Sequence, residues 1–165
     1  GCVFIEATPP AKTPLFLYGA GHVGRALAPI LVTLPIDLYW VDDAEDRFPE
    51  LRPDAADCVL AKQPTLIAKA APLGAIHLVM TYAHDVDFAI CHAALAGGQA
   101  GFVGLIGSAT KRARFEKRLL DAGLPTDVVG RLVCPIGLTA LTGKTPAVIA
   151  IGVAAQIAAF LETAT

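Results

Sequence analysis

The segment Leu15-Phe16-Leu17-Tyr18-Gly19-Ala20-Gly21-His22-Val23-Gly24 constrains the fold more than any other in the chain. A short apolar run leads straight into GxGxxG spacing, the junction between a buried strand and the first turn of a helix. Gly19 permits the tight turn, Gly21 lets a phosphate approach the backbone, and Gly24 lets the helix lie close on the strand. The free amides and the positive end of that helix favour an anion. At 23 residues past Gly19 a second apolar run ends in Trp40-Val41-Asp42-Asp43, near the spacing at which a carboxylate meets a ribose hydroxyl. Adjacent Asp42 and Asp43 would repel a ribose 2'-phosphate, so an NAD-like or other adenosine ligand is expected over NADP. The same residues also admit an architectural reading: glycines for close packing, and Asp42 capping the loop with no nucleotide bound.

Short apolar runs alternate with helix-length segments, as in parallel strands joined by crossover helices. Strands are expected at Leu15 to Tyr18, Ile36 to Val41, Asp57 to Leu60, Ile76 to Met80 and Gly101 to Ile106. Most are apolar on both faces, which a sheet covered on both sides requires. Helices are expected at His22 to Leu34, Pro64 to Ala71, Asp85 to Ala96, Ser108 to Ala122 and Pro146 to Glu162. The fold class is therefore α/β, a doubly wound, Rossmann-like parallel sheet in a single domain. That domain is expected over 14–165. Residues 1–13 precede it as an edge strand at Cys2 to Ile5 and a linker, the proline-rich stretch running from Ala7 to Pro14. The linker, and a chain that starts at Gly, suggest a preceding module.

Composition narrows the partners. With 165 residues there is room for one core, and 55% hydrophobic against 17% charged residues excludes a disordered chain. A formal charge of -2 offers no field for a polyanion, so nucleic-acid binding is not expected and any anion site must be local. The 17 residues from Thr145 to Leu161 carry no charge but fall short of the roughly 20 that cross a bilayer, so this stretch reads as a buried helix rather than a membrane span. Cys2, Cys58, Cys91 and Cys134 form no CxxC pair and fit reduced thiols in a cytoplasmic protein better than disulfides or structural zinc. Low surface charge also suits a contact face, with another copy or with a partner.

Three further segments reach the carboxyl edge of such a sheet, where doubly wound folds bind ligands. Met80-Thr81-Tyr82-Ala83-His84-Asp85-Val86-Asp87 places Thr81, His84 and Asp87 there. His84 and Asp87 are the candidate catalytic pair, with His84 as general acid or base, or hydrogen-bonding a heterocycle, and Asp87 fixing its tautomer or capping the next helix. Simple helix capping and an exposed histidine explain the residues equally well. His22 faces the same crevice, but His22, His84, Asp85 and Asp87 lack close metal-ligand spacing, and no metal is expected. Gly107-Ser108-Ala109-Thr110-Lys111-Arg112 puts basic side chains in a first helical turn, where they oppose the dipole unless an anion compensates. Gly107 and Ser108 would then be phosphate contacts, with Lys111 and Arg112 supplying charge, while Arg114, Lys117 and Arg118 fall on a solvated face. Cys134 before Pro135 is either a thiolate facing the crevice or, the plainer reading, an inert buried thiol. His77, Cys58 and Cys91 are assigned to the core or to helices without a role.

GAGHVG at Gly19 to Gly24, VDD at Val41 to Asp43, the Thr81/His84/Asp87 pattern, VGLIGS with KRARF at Val103 to Phe115, and RLVCPIGL at Arg131 to Leu138 occur in one order. Together they resemble the C-terminal domain of the xanthine dehydrogenase accessory protein family (XdhC/CoxI), over Leu15 to Leu161. Tyr82 stands where members of that family often carry a second histidine, and the family's N-terminal half has no counterpart in this sequence. The resemblance implies a chaperone that binds the molybdenum cofactor (molybdopterin). It also implies promotion of cofactor sulfuration with a cysteine desulfurase, and insertion into a xanthine dehydrogenase-like enzyme, with a homo-oligomer as the expected form and no turnover required. The phosphate and planar pterin of that ligand suit the crevice of Gly19, Gly21, His22, Gly24, Asp42, Asp43, Thr81, His84, Gly107, Ser108, Lys111 and Arg112. The rivals are an NAD-dependent oxidoreductase using His84 and a nucleotide-sensing regulatory domain.

Overall fold

A computed structural model describes residues 11–164. The expected strand at Cys2 to Ile5 lies outside them, as does the first part of the linker. Six parallel strands form one sheet: β1 (Thr13–Tyr18), β2 (Ile36–Asp42), β3 (Ala56–Leu60), β4 (Ile76–Val79), β5 (Phe102–Leu105) and β6 (Leu132–Val133). Their order across the sheet is β3-β2-β1-β4-β5-β6. The chain begins in the middle, runs outward to β3, then returns to the other side of β1. The register pairs Leu15 with both Leu38 and Ile76. Neighbours β1 and β4 thus send their following loops in opposite directions, and a crevice opens between them at the carboxyl edge. Thr13 and Pro14 are already in β1, so the expected linker ends before them.

Alternation along β1 divides the core in two, since successive strand residues point to opposite faces. Leu15 and Leu17 join Leu38, Trp40, Leu78 and Ile136 beneath α1 (His22–Leu31) and α6 (Pro146–Thr163). Phe16 and Tyr18 join Ile90, Leu95, Phe115 and Leu119 beneath α2 (Pro64–Ala70), α3 (His84–Ala96), α4 (Ala109–Asp121) and α5 (Thr126–Val129). Sequence patterning gives no sign of α5, a single turn, or of the 3-10 turn at Glu45–Arg47.

The uncharged C-terminal segment forms one long helix, but burial is one-sided. Ala150, Val153, Ala154 and Ile157 are in the core, whereas Ile151 is 54% exposed. By length and composition alone α6 could cross a membrane; here its apolar face packs on the sheet and α1. Cys58, expected in the core, is half-buried because β3 is the sheet's edge strand.

Candidate functional site

Three strand exits build the crevice: β1 into the glycine loop, β4 into Met80 to Ala83, and β5 into Ile106 to Ser108. At Gly19, φ is +112° and an added Cβ would lie 2.3 Å from the Met80 carbonyl oxygen, so only glycine passes there. Trp40 donates its indole N–H to the Gly19 carbonyl at 3.0 Å, clamping the turn to β2. Gly24 lies so close under the loop that a Cβ would sit 2.2 Å from the Gly19 oxygen. Gly21 is different: nothing stands within 4 Å of a Cβ there. It is the N-cap of α1 and supplies no side-chain cap, and no acid occupies the first turn. The leading amides of α1 therefore face open space, in the direction a helix presents to an anion.

The acidic pair differs from its expected role. Asp42 is buried, and both carboxylate oxygens are engaged by the protein. Oδ2 accepts from the Ala20 amide at 2.7 Å, while Oδ1 accepts from the Asp43 and Ala44 amides and from Arg47. Arg47 also pairs with Asp43 and stacks over the Tyr82 ring, 3.9 Å from its centroid. Tyr82 in turn donates its hydroxyl to Asp43 at 3.1 Å. The Asp43 carboxyl is held below its ordinary value: burial raises it, but the Tyr82 hydrogen bond, contact with Asp42 and the charges of Arg47 and Lys62 outweigh that. The pair is thus a neutralised latch rather than two bare charges, and a ribose diol could reach Asp42 only by displacing Arg47. Arg25 pins the latch from α1 by donating to the backbone oxygens of Ala20 and Arg47.

A second correction concerns Lys111 and Asp87. The Lys111 ammonium lies 2.7 Å from Asp87 Oδ2, with the carboxylate fully buried and the lysine side chain a tenth exposed. It also donates to the Ile106 carbonyl at 2.9 Å. Asp87 Oδ1 takes the Thr81 amide at 2.9 Å and the Thr81 hydroxyl at 2.7 Å. Asp87 therefore neither fixes a His84 tautomer nor caps α3. It ties the β4 exit to α4, and Lys111 spends its charge on it rather than on a phosphate. Gly107 makes room for this, since a Cβ there would meet the Lys111 side chain at 2.6 Å. Ser108 caps α4 by accepting the Lys111 amide at 3.2 Å, a bond of about 1 kcal/mol. Arg112 is paired with Glu116 at 2.7 Å.

What remains free is smaller than the expected set. His22 and His84 are exposed and have no side-chain partner among the described residues. Arg114, assigned from the sequence to a solvated face, stands with Thr81, Tyr82, His84, Ile106, Gly107, Ser108 and Lys111 around a cleft of about 390 Å³. A neighbouring cleft of about 370 Å³ runs over Gly19, Gly21 and His22 and shares Thr81, Tyr82 and Ile106 with the first. The two form one groove, from the open amides of α1 to His84 and Arg114. Arg47, Tyr82 and Arg114 are the residues that sequence reasoning missed; only a tertiary contact distinguishes them. Cys134 is buried behind Gly107, and burial raises its thiol despite the nearby Lys111 and Arg112 charges, so it offers no thiolate. No three His, Cys, Asp or Glu side chains among the described residues are placed to hold a metal ion.

A family model described as the XdhC Rossmann domain matches residues 15–157. An uncharacterized protein of Escherichia coli K12, YqeB, is 28% identical over 144 residues, which is 87% of this chain and 26% of YqeB. The crystal structure of a xanthine dehydrogenase from Bacillus halodurans superposes with a TM-score of 0.76 at 22% identity, covering 93% of this chain and 44% of that one. The likeness to the solved structure is one of fold. The chain spans about a quarter of YqeB and under half of the Bacillus protein.

Proposed function

This chain belongs to the XdhC Rossmann-domain family, and from that premise we propose that it holds a molybdopterin-type cofactor as cargo for a xanthine dehydrogenase-like enzyme. The coarse part, an accessory role beside such enzymes, is supported by the family match. The finer part rests on the groove, and the observation that carries it is the uncapped start of α1 beside an unobstructed Gly21. Amide donors in a row, with no acid in the first turn, are what a terminal phosphate requires. Arg114 and His84, neither with a side-chain partner among the described residues, stand at the far end of the same groove for the acceptor-rich edge of a pterin. Thr81, fixed by Asp87, keeps the wall between them in place. The donor set therefore fits the cargo.

In this role the domain binds and releases. When bound, the cofactor carries the molybdenum centre that the recipient enzyme uses. The chain's own residues would anchor the phosphate through α1 and leave one side of the groove open for a cytoplasmic cysteine desulfurase and the recipient apoenzyme. A dehydrogenase has less support, because the Asp42 oxygens are taken and His84 has no orienting partner.

Thermal unfolding of the whole chain with isolated molybdenum cofactor, NADH and AMP in turn tests the reading. A ligand at a hundred times its Kd stabilises by about 2.7 kcal/mol. For a domain of this size that corresponds to a rise of about 5–10 °C. The rise is expected with the molybdenum cofactor; a rise with NADH and none with that cofactor would transfer the function to a nucleotide.

A further inference from the structure

We infer that His77 anchors a second ligand site, on the sheet edge opposite the glycine loop, that takes a small uncharged molecule with an apolar body and one carbonyl-type acceptor. A recess of about 140 Å³ opens there between the last turns of α2 and α3. Ala68, Ala71, Ala94 and Ala100 form its walls, and Lys69 and Gln99 stand at its mouth. It shares no residue with the groove described above.

His77 is 1% exposed, and its Nδ1 lies 3.1 Å from the Tyr18 hydroxyl. Tyr18 is fully buried and its hydroxyl meets no other acceptor among the described residues, so the phenol donates to Nδ1 and Nδ1 accepts. The ring proton then sits on Nε2. No protein group bonds Nε2, yet no fully enclosed side-chain nitrogen or oxygen among the described residues lacks a partner. Nε2–H is therefore not sealed, and the recess is the space that His77 borders. Such a donor is open to any acceptor small enough to enter the recess, water included.

The surroundings select the occupant. Four alanine methyl groups favour an apolar body. An anion is disfavoured, because α2 and α3 both end beside the recess and direct their negative ends toward it. Lys69 is exposed and keeps its ammonium in water, and burial lowers His77 to about 4, leaving an uncharged imidazole. A cation would face the Nε2–H proton directly. A neutral acceptor is what remains.

The test uses three probes on the 15N-labelled chain: cyclopentanone, cyclopentane and cyclopentanecarboxylate. Cyclopentanone is expected to move the His77 Nε2 resonance and to bind about fivefold to tenfold tighter than cyclopentane, the worth of one hydrogen bond; the carboxylate should bind no tighter than the hydrocarbon. Tyr18→Phe with His77→Phe removes donor and acceptor together, and should erase the preference for the ketone. Should that double variant fail to fold, Ala71→Met, which fills the recess from its wall, should abolish binding of all three. An unmoved Nε2 at saturating ketone, equal binding of ketone and hydrocarbon, tightest binding of the carboxylate, or ketone binding that survives Ala71→Met would overturn the assignment. None of these results bears on the molybdenum-cofactor groove.

Discussion

Replacing Lys111 by methionine keeps most of the side-chain volume while deleting the ammonium that faces Asp87 Oδ2 at 2.7 Å. Thr81 continues to donate its amide and hydroxyl to Oδ1, but Oδ2 is left without a donor. The carboxylate is fully buried, so water cannot take the place of the cation. Removing one member of a buried pair costs about 3–5 kcal/mol, mostly the penalty of the orphaned charge. At about 2–4 °C per kcal/mol for a domain of this size, the melting temperature should fall by about 6–20 °C. Urea unfolding at pH 7, followed by the fluorescence of the single, fully buried Trp40, measures the loss directly. Adding Asp87→Asn to Lys111→Met keeps an acceptor for Thr81 and removes the stranded charge, so the double variant should be more stable than the single. A cost under about 1 kcal/mol for Lys111→Met, or a double variant no better than the single, would refute the claim that this pair holds the groove wall.

Other expectations follow from the same geometry. His77 is lowered by burial from 6.5 to about 4, so its neutral form favours the folded state. The contribution is complete above pH 6.5 and is lost as pH falls toward 4, approaching about 3 kcal/mol. Urea titrations from pH 7 to 4 should show this slope in the native chain and a flatter one in the Tyr18→Phe/His77→Phe variant; an unchanged slope would assign it elsewhere. Gly24→Ala forces a Cβ onto the Gly19 carbonyl and should cost at least about 1–3 kcal/mol, whereas Gly21→Ala meets nothing and should cost under about 1 kcal/mol while weakening cofactor binding. Equal stability losses in both would contradict the loop geometry. Arg114→Ala should weaken cofactor retention by about tenfold, and Arg112→Ala, whose guanidinium is already paired with Glu116, should leave it unchanged; the reverse order in a retention assay would exchange their roles.

The central strands were legible because they need apolar residues on both faces, and Leu15 to Tyr18 or Ile76 to Val79 leaves few other conformations for such a run. The glycine loop was legible because Gly19 and Gly24 each answer a steric demand within six residues of chain, while Gly21 leaves the backbone open. The closure of the acidic pair was not, since Arg47 comes from one turn of 3-10 helix and meets Tyr82 only through the parallel order of β2, β1 and β4. Lys111 looked like a phosphate ligand because the helix-dipole rule sees only its own helix; its counter-charge, Asp87, sits on another helix 24 residues earlier. Arg114 is the converse case. Its own side chain is exposed like those of Lys117 and Arg118, and only the approach of the β4 exit turns it into a groove residue.

The central claim is that the open amides of α1 receive the phosphate of a molybdenum-cofactor cargo. The most direct measurement is backbone amide 15N-1H shift mapping of the full chain during titration with the isolated cofactor. The account predicts the largest changes at Gly21, His22 and Val23, with smaller ones at Thr81 and Ser108. Saturable binding that leaves those three amides unmoved would contradict it.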